Sequence, residues 1–280
     1  MPFSSLSPLK ATLRHQFKQG KALWRGDPFH YADVQDRVAI GSYPYQWSSS
    51  TTRIKRRSGL PNINENRLWN MQLAVDRIDG LILQPGQIFA FWQRIPQPTA
   101  KHGFRAGPTL VGGKLSTDLG GGLCQISTTL FNALLWANLE ILERHNHSID
   151  AHGAQRFFQL GQDAAVAYGY KDLIGRNTSE IPLMLRLQIS LEKAEVTAAV
   201  WGQQPMPMQV RVESTVLEEL SPHESEDMSG WRVETVRSTR PFPQFASPVL
   251  WQVTYHALDL YLPHVSVHHS DRLQPDSVSP

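Results

Sequence analysis

The residues best placed for chemistry are a lone cysteine and the glycines that precede it. The segment Gly120-Gly121-Gly122-Leu123-Cys124-Gln125 leads into an apolar stretch with helical spacing, and the chain has no second cysteine. At the start of a helix, unpaired backbone N–H groups and the positive end of the helix dipole stabilise a thiolate. We therefore predict that Cys124 is a nucleophile. Gly121, Gly122 and Gln125 are predicted to bind the substrate or a developing oxyanion.

Each of these predictions has a structural alternative. Free cysteines are among the most buried residues of proteins, so Cys124 could serve as a small packing residue. Gln125 could be an exposed residue of the first helical turn instead of a hydrogen-bond donor to a substrate.

A thiolate nucleophile usually works with a base, and the base with an orienting group. Three histidines that follow the predicted helix are candidate bases: His145, His147 and His152. Asp163 and Asp172 are candidate orienting groups, although an aspartate beside a turn commonly caps its own backbone. A helix of about 18 residues spans roughly 27 Å, so a base beyond it reaches Cys124 only where the chain returns along the helix.

The same three histidines do not predict a metal site. Their spacing matches no zinc signature that includes the cysteine, and a second cysteine is lacking. We expect neither a metal nor a cofactor.

Helical periodicity marks the segments that position these residues. Residues 7–24 carry a thin apolar stripe with basic residues between, which fits a helix packed on its own domain or one lying on a membrane surface. Asn64 to Gly80 predicts a helix capped by Asn64, followed by a β-hairpin formed by Leu81–Leu83 and Ile88–Trp92. Cys124 to Leu142 has the length and spacing of a buried helix.

Strands are predicted for most of the remaining chain. The segments are Ala164–Tyr168, Leu183–Ile189, Val196–Trp201, Val210–Leu217, Trp231–Val236 and Leu250–Tyr255. A run of Gln, Pro and Met at residues 203–208 marks a boundary. We predict an N-terminal helical segment at residues 1–30, a main domain at 31–202 and a β-rich C-terminal extension at 203–280. The fold class is predicted to be α+β, with a mixed β-sheet packed around a buried central helix.

Composition limits the class of protein. Hydrophobic residues make up 41% and charged residues 19% of the 280, which is typical of a folded globular chain. A net charge of +2 offers no broad attraction to polyanions, so we predict no nucleic-acid partner. The sequence has no apolar run of the length of a signal peptide or a transmembrane helix. The predicted location is the cytoplasm, and peripheral membrane association is left open.

Several blocks of sequence, in order, resemble the VanW family. They are LQPGQIFAFW at residues 83–92, GGGLCQIS at 120–127, ERHNHS at 143–148, GQDAAV at 161–166, and KDL at 171–173 with RNT at 176–178. The resemblance covers residues 64–201, about half of the chain. Gln87 stands where the family usually has an acidic residue and Ala90 where it usually has serine, and neither change touches Cys124.

The resemblance implies a cell-envelope function. VanW accompanies gene sets that make peptidoglycan precursors ending in D-alanyl-D-lactate, so an association with glycopeptide resistance is expected, whereas no reaction is assigned. The resemblance also favours His147 over His145 and Asp163 over Asp172, because those two match the histidine and aspartate of the family motifs.

Two functional hypotheses follow. In the first, the chain is a cysteine-dependent hydrolase or transferase acting on an amide, ester or peptide of envelope-precursor type. Cys124 is then the nucleophile, His147 the general base and Asp163 its orienting group. In the second, the chain is a non-catalytic module that binds a peptidoglycan fragment or a partner protein. Its platform consists of three aromatic side chains: Phe89, Phe91 and Trp92.

Overall fold

A computed structural model describes most of the chain. The described residues are 12–14, 16, 17, 20, 30–56, 60–111, 114–222, 228–242 and 250–264. Residues 12–14, 16, 17 and 20 are helical, in agreement with the helix predicted near the N-terminus, and the rest of residues 7–24 lies outside the described residues. No helix in the described part of the chain is long and apolar enough to cross a membrane.

Three α-helices follow in the described residues: α1 (Pro61–Ile78), α2 (Phe91–Arg94) and α3 (Leu123–Trp136). The prediction that α1 begins at Asn64 is wrong, because Pro61 occupies the first helical turn, where its fixed φ and missing N–H are tolerated. The predicted end of α3 at Leu142 is also wrong. Asn138 adopts a left-handed conformation with φ 59°, which ends the helix and reverses the chain.

The strands of the main body form small antiparallel sheets. One sheet has the order β1 (Tyr45–Arg53), β9 (Glu195–Gly202), β8 (Leu183–Ser190), β2 (Leu81–Leu83), and another has the order β3 (Ile88–Ala90), β7 (Ile174–Arg176), β6 (Glu140–Glu143). The strands β4 (Ala106–Val111) and β5 (Lys114–Leu119) pair as a hairpin. The predicted hairpin of β2 with β3 is wrong, since β2 pairs with β8 and β3 with β7.

The C-terminal strands form a sheet of their own, in the order β10 (Met208–Leu220), β11 (Gly230–Pro241), β12 (Gln252–Tyr261). These three strands agree with the predicted strands near residues 210, 231 and 250, although each is longer or shifted. The α+β class is confirmed. The division of the chain at residues 30 and 202 stays a prediction.

Helix α3 lies at the centre of the main core. Ile126, Leu130, Phe131 and Leu134 are each 0–1% exposed and belong to one hydrophobic cluster with residues of α1 and of β8 and β9. Removing such side chains from water is the main favourable contribution to folding. A buried helix leaves its last carbonyl groups without water, so they need partners from the protein.

Arg237 of β11 supplies a partner at the C-terminal end of α3. Its side chain is 2% exposed and donates hydrogen bonds to the carbonyl oxygens of Leu135 and Leu139, at 3.1 and 2.7 Å, and to Thr254. Burial lowers the pKa of Arg237 to about 10, and the group stays cationic at neutral pH. The cation also interacts favourably with the negative end of the helix dipole. Arg237 therefore links the C-terminal sheet to α3.

We predict that Arg237→Met lowers the free energy of unfolding by about 2–4 kcal/mol, because a buried carbonyl acceptor is left without its charged donor. Methionine keeps much of the volume of the side chain. Urea denaturation followed by circular dichroism measures the change. Arg211→Met is the control, since Arg211 is exposed and pairs only with exposed Glu213, and it is expected to cost less than about 0.5 kcal/mol. Equal losses in the two variants contradict the prediction.

Candidate active site

Glycines set the direction in which the chain enters α3. Gly122 is the N-cap residue, and its φ of 104° is a conformation that residues with a side chain rarely adopt. A Cβ atom there would lie 2.8 Å from Met71 Cγ, so α1 and the start of α3 pack in direct contact. The carbonyl of Gly121 accepts a hydrogen bond from Asn70 of α1 at 3.2 Å. The glycine run thus fixes the position of the first turn that carries Cys124.

Cys124 is the second residue of α3 and is partly buried. Its sulfur lies 3.6 Å from the carbonyl oxygen of Val166, to which the thiol donates. No described residue accepts a hydrogen bond from the backbone N–H of Cys124, which leaves this donor available at the first helical turn. A sulfur and an unpaired N–H therefore lie together at the positive end of the helix dipole.

The chain returns along α3 after the helix ends. Strand β6 follows at residues 140–143, and the next residues run beside the segment 162–166, where Ala165 N–H donates to His145 O at 2.7 Å. A long helix would keep His147 far from Cys124, but α3 is shorter than predicted. The extended chain after it covers the length of the helix in fewer residues, because its rise per residue is larger. It brings His147 back to the start of α3.

Residues 162–166 are held by polar side chains of α3. Ser127 Oγ donates to Ala164 O at 2.6 Å, Thr128 Oγ1 accepts from Ala164 N–H at 3.0 Å, and Asn132 Nδ2 donates to Gln162 O at 2.8 Å. The predicted strand at Ala164–Tyr168 is therefore wrong: these backbone groups are paired with helix side chains instead of a neighbouring strand. The arrangement holds Asp163 beside His147.

The imidazole of His147 lies between the thiol and a carboxylate. His147 Nδ1 is 2.5 Å from Asp163 Oδ2, and the same oxygen accepts from the backbone N–H of His147 at 2.8 Å. The ring of His147 also interacts with the thiol of Cys124. The structure thus places His147 in contact with Asp163 and within reach of Cys124.

Asp163 is buried, with 0% exposure, and both of its oxygens are occupied. Oδ2 faces His147, while Oδ1 accepts from Arg144 Nη2 at 3.0 Å and from the Tyr261 hydroxyl at 2.6 Å. Arg144 is in turn paired with Asp259, whose two oxygens lie 2.5–2.6 Å from Nη1. Arg144 and Asp259 are nearly fully buried as well. Positive and negative groups therefore alternate from the thiol into the protein interior.

This alternation shifts the pKa values of the three central groups. Burial raises the pKa of the Cys124 thiol, but the hydrogen bond and charge of His147, with the charge of Lys171, lower it by more. Burial lowers the pKa of His147, and Asp163 and Cys124 raise it well above its usual range. Burial raises the pKa of Asp163, and His147, Arg144 and Tyr261 hold it well below its usual range. These directions favour a thiolate beside an imidazolium.

Gln125 lies at the site's edge but is committed to other contacts. It is 2% exposed, and its amide nitrogen donates to Thr52 Oγ1 and to Arg53 O at 3.0 and 2.9 Å. Its amide oxygen accepts from Arg67. Gln125 is therefore neither an exposed first-turn residue nor a side chain with a free N–H for an oxyanion. Its contacts instead tie α3 to β1 and α1.

The remaining candidates have other partners. His145 pairs with Glu143 at 3.0 Å, and the ring of His152 contacts Phe157 and Phe158. Asp172 accepts from the backbone N–H of Trp92 and of Leu173, which is the capping role considered as its alternative.

The predicted aromatic platform of Phe89, Phe91 and Trp92 is wrong, because these side chains are 1%, 0% and 6% exposed. They belong to the hydrophobic core together with α3. Packing in the core thus explains why three aromatic residues lie close together in this part of the sequence.

Four residues of the site were missed by the sequence analysis: Arg144, Lys171, Asp259 and Tyr261. Arg144 and Lys171 lie inside the motif blocks that supplied the candidate histidines and aspartates. Their positive charge, next to those candidates, was the feature that could have marked them. The ammonium group of Lys171 donates to Asn146 O at 2.9 Å and interacts electrostatically with Cys124. Asp259 and Tyr261 lie in the C-terminal sheet, and no local pattern marks them.

Comparisons with known proteins point to one family. The family described as VanW like protein matches residues 66–201. A stretch of 123 residues is 34% identical to the uncharacterized protein YoaR of Bacillus subtilis (strain 168), and covers 44% of this chain and 39% of YoaR. A stretch of 130 residues is 32% identical to the vancomycin B-type resistance protein VanW of Enterococcus faecalis (strain ATCC 700802 / V583), and covers 46% of this chain and 47% of that protein.

The aligned stretch spans less than half the length of each of these curated relatives. No solved structure matches the chain. The family match contains Cys124, His147 and Asp163, whereas Asp259 and Tyr261 lie beyond its end. Residues 66–201, just under half of the chain, are therefore similar to the VanW family, and one of the two relatives is itself named VanW.

Proposed function

We propose that this chain is a cysteine-dependent acyl-transfer enzyme, a hydrolase or transferase that acts on an amide or ester bond. One observation carries the proposal: a thiol at the start of a helix interacts with an imidazole whose Nδ1 contacts a buried carboxylate. Nucleophile, base and orienting group in this order are the arrangement that acyl transfer through a thioester needs.

Each group has a defined part in the proposed reaction. The thiolate of Cys124 attacks the carbonyl carbon of the substrate, and the backbone N–H of Cys124 donates to the developing oxyanion. The imidazolium of His147 gives its proton to the leaving nitrogen or oxygen as the bond to carbon breaks. Neutral His147 then takes a proton from water or from an acceptor amine, which attacks the thioester and restores the thiol. Asp163 keeps the ring oriented throughout.

The proposed substrate class is a peptidoglycan precursor or fragment. One relative is named for vancomycin B-type resistance, which supports an association of this chain with glycopeptide resistance. Peptidoglycan precursors contain amide bonds, and those ending in D-alanyl-D-lactate contain an ester. Lys171, beside the sulfur, adds a positive charge that favours a substrate with a nearby carboxylate. A cytoplasmic location with peripheral membrane association is part of the proposal.

The first prediction concerns the reactivity of the thiol. We expect the rate of Cys124 alkylation by iodoacetamide to rise with pH through a midpoint below about 8.5, the ordinary thiol value. In His147→Asn the midpoint moves upward to or above that value, because burial then acts on the thiol without an opposing imidazolium. Intact-protein mass spectrometry follows the reaction, and the single cysteine makes the labelled site unambiguous.

His145→Asn is the matched control for this experiment. His145 is two residues away, partly exposed and paired with Glu143, so its replacement should leave the midpoint where it is in the wild type. The proposal is contradicted if the midpoint of the wild type lies at or above the ordinary pKa of a thiol. Equal midpoints in the wild type and His147→Asn also contradict it.

The second prediction concerns turnover. Wild-type protein incubated with muropeptides, or with stem peptides ending in D-alanyl-D-alanine or D-alanyl-D-lactate, is expected to gain an acyl group on Cys124. Neutral hydroxylamine should release it, as expected for a thioester. Product formation in Cys124→Ala should fall by on the order of 10³-fold or more, the scale of losing a triad nucleophile.

Cys124→Ser separates catalysis from binding. Its hydroxyl keeps the shape of the site, so substrate binding measured by calorimetry should persist while turnover falls. Binding of equal strength in the wild type, Cys124→Ser and Cys124→Ala, with no adduct or product in any of them, contradicts catalysis and favours the non-catalytic binding module.

A further inference from the structure

We infer that Tyr261 and Asp259 of β12 are positioning residues of the candidate active site, because they fix Asp163 and Arg144 and thereby the imidazole of His147. The inference rests on the proposed function. Both residues lie outside the segment that matches the family. The C-terminal sheet then contributes residues that position the site.

Tyr261 orients the carboxylate of Asp163. Its side chain is fully buried, and its hydroxyl donates to Asp163 Oδ1 at 2.6 Å while accepting from the backbone N–H of Gly161 at 2.9 Å. The two bonds fix the hydroxyl from both sides. With Oδ1 held in this way, the carboxylate cannot rotate about its χ2 without breaking a buried hydrogen bond, so Oδ2 keeps facing His147.

Asp259 orients the guanidinium of Arg144. Both carboxylate oxygens of Asp259 accept from the same nitrogen, Arg144 Nη1, and charge-assisted hydrogen bonds of this kind are stronger than neutral ones. The other donors of Arg144 bind Gly161 O, Asp163 O and Asp163 Oδ1, at 3.0, 2.6 and 3.0 Å. Asp259 also neutralises a cation that would otherwise draw Asp163 away from the imidazolium. A buried cation without this partner is costly.

Other charged or titratable groups face the same cluster. Lys171 interacts with Cys124, Asp163 and Arg144, and Tyr255 of β12 interacts with Arg144 and Asp259. Neither contacts Asp163 through a hydrogen bond in the described structure. They shape the local potential, whereas Tyr261 and Asp259 hold the geometry.

Tyr261→Phe tests the inference without changing any charge. The proton on His147 Nδ1 is expected to give a far-downfield, slowly exchanging NMR signal in the wild type, and to broaden or vanish in the variant as the carboxylate becomes mobile. The rate of Cys124 alkylation at pH 6 should fall about tenfold, which corresponds to about one pKa unit. At pH 9.5 the thiol is ionised in both proteins, so that rate should stay within about twofold.

Asp259→Asn is the second variant, and it keeps the size of the side chain. Arg144 then loses one of its two carboxylate partners and keeps Asp163, so more of its positive charge is uncompensated and disfavours the imidazolium. We expect the pH at which His147 loses its proton, followed by NMR of its ring protons, to move downward. This variant remains informative where Tyr261→Phe fails to fold.

Two matched controls lie away from the cluster. Tyr43→Phe removes the hydroxyl of a buried tyrosine whose side chain packs with Ile82 and Met184, and Glu234→Gln removes a carboxylate of β11 that pairs with exposed His256. Both should keep the wild-type NMR signal and the wild-type ratio of the two alkylation rates.

The outcomes separate the inference from the proposed function. Ordinary titration of both Cys124 and His147 in the wild type contradicts the proposed function itself. Shifted titration in the wild type that is unchanged in Tyr261→Phe and Asp259→Asn overturns the positioning role and leaves the proposed function standing. If the rate of Cys124 alkylation in Tyr261→Phe falls equally at pH 6 and pH 9.5, the variant has lost only packing. That result also overturns the positioning role.

Discussion

The structure around the candidate site depends on one buried carboxylate. Asp163 has no exposed surface, and an isolated charge in that position would be strongly unfavourable. Four donors make it favourable: two groups of His147 on one oxygen, and Arg144 with Tyr261 on the other. Each donor comes from a segment with little freedom of its own. The ionised state of Asp163 and the placement of His147 are therefore parts of the same arrangement.

Helix α3 explains how this arrangement is held in place. One of its faces is apolar and lies in the main core, while Ser127, Thr128 and Asn132 use their side chains to pair the backbone of residues 162–164. Polar side chains on a buried helix are usually unfavourable unless they are fully hydrogen-bonded. Here their hydrogen bonds to the backbone take the place of the backbone–backbone hydrogen bonds that a neighbouring β-strand would make. The irregular segment that carries Asp163 is thereby hydrogen-bonded to α3.

The sequence predicted the position of local helices and identified the residues of the motif. Helical periodicity located α1 and the start of α3, and the motif blocks selected His147 and Asp163, whose side chains contact each other. Periodicity failed at the end of α3, because the short segment Leu139-Glu140-Ile141-Leu142 fits a helix and a strand equally well. It also failed for Gln125, whose role depends on Thr52 and Arg53, more than 70 residues away in sequence. Tertiary contacts of this kind have no local signature.

The contacts of β12 have a consequence for how the protein is made. Tyr261 and Asp163 are separated by 98 residues, and Asp259 and Arg144 by 115. Between them, Gly161 fits against the last sheet so closely that a Cβ atom would lie 2.2 Å from Thr235 Oγ1. During translation the sulfur and the imidazole emerge long before these anchors exist. A nascent chain on the ribosome therefore carries Cys124 and His147 before the strand that holds Asp163 and Arg144 has been made.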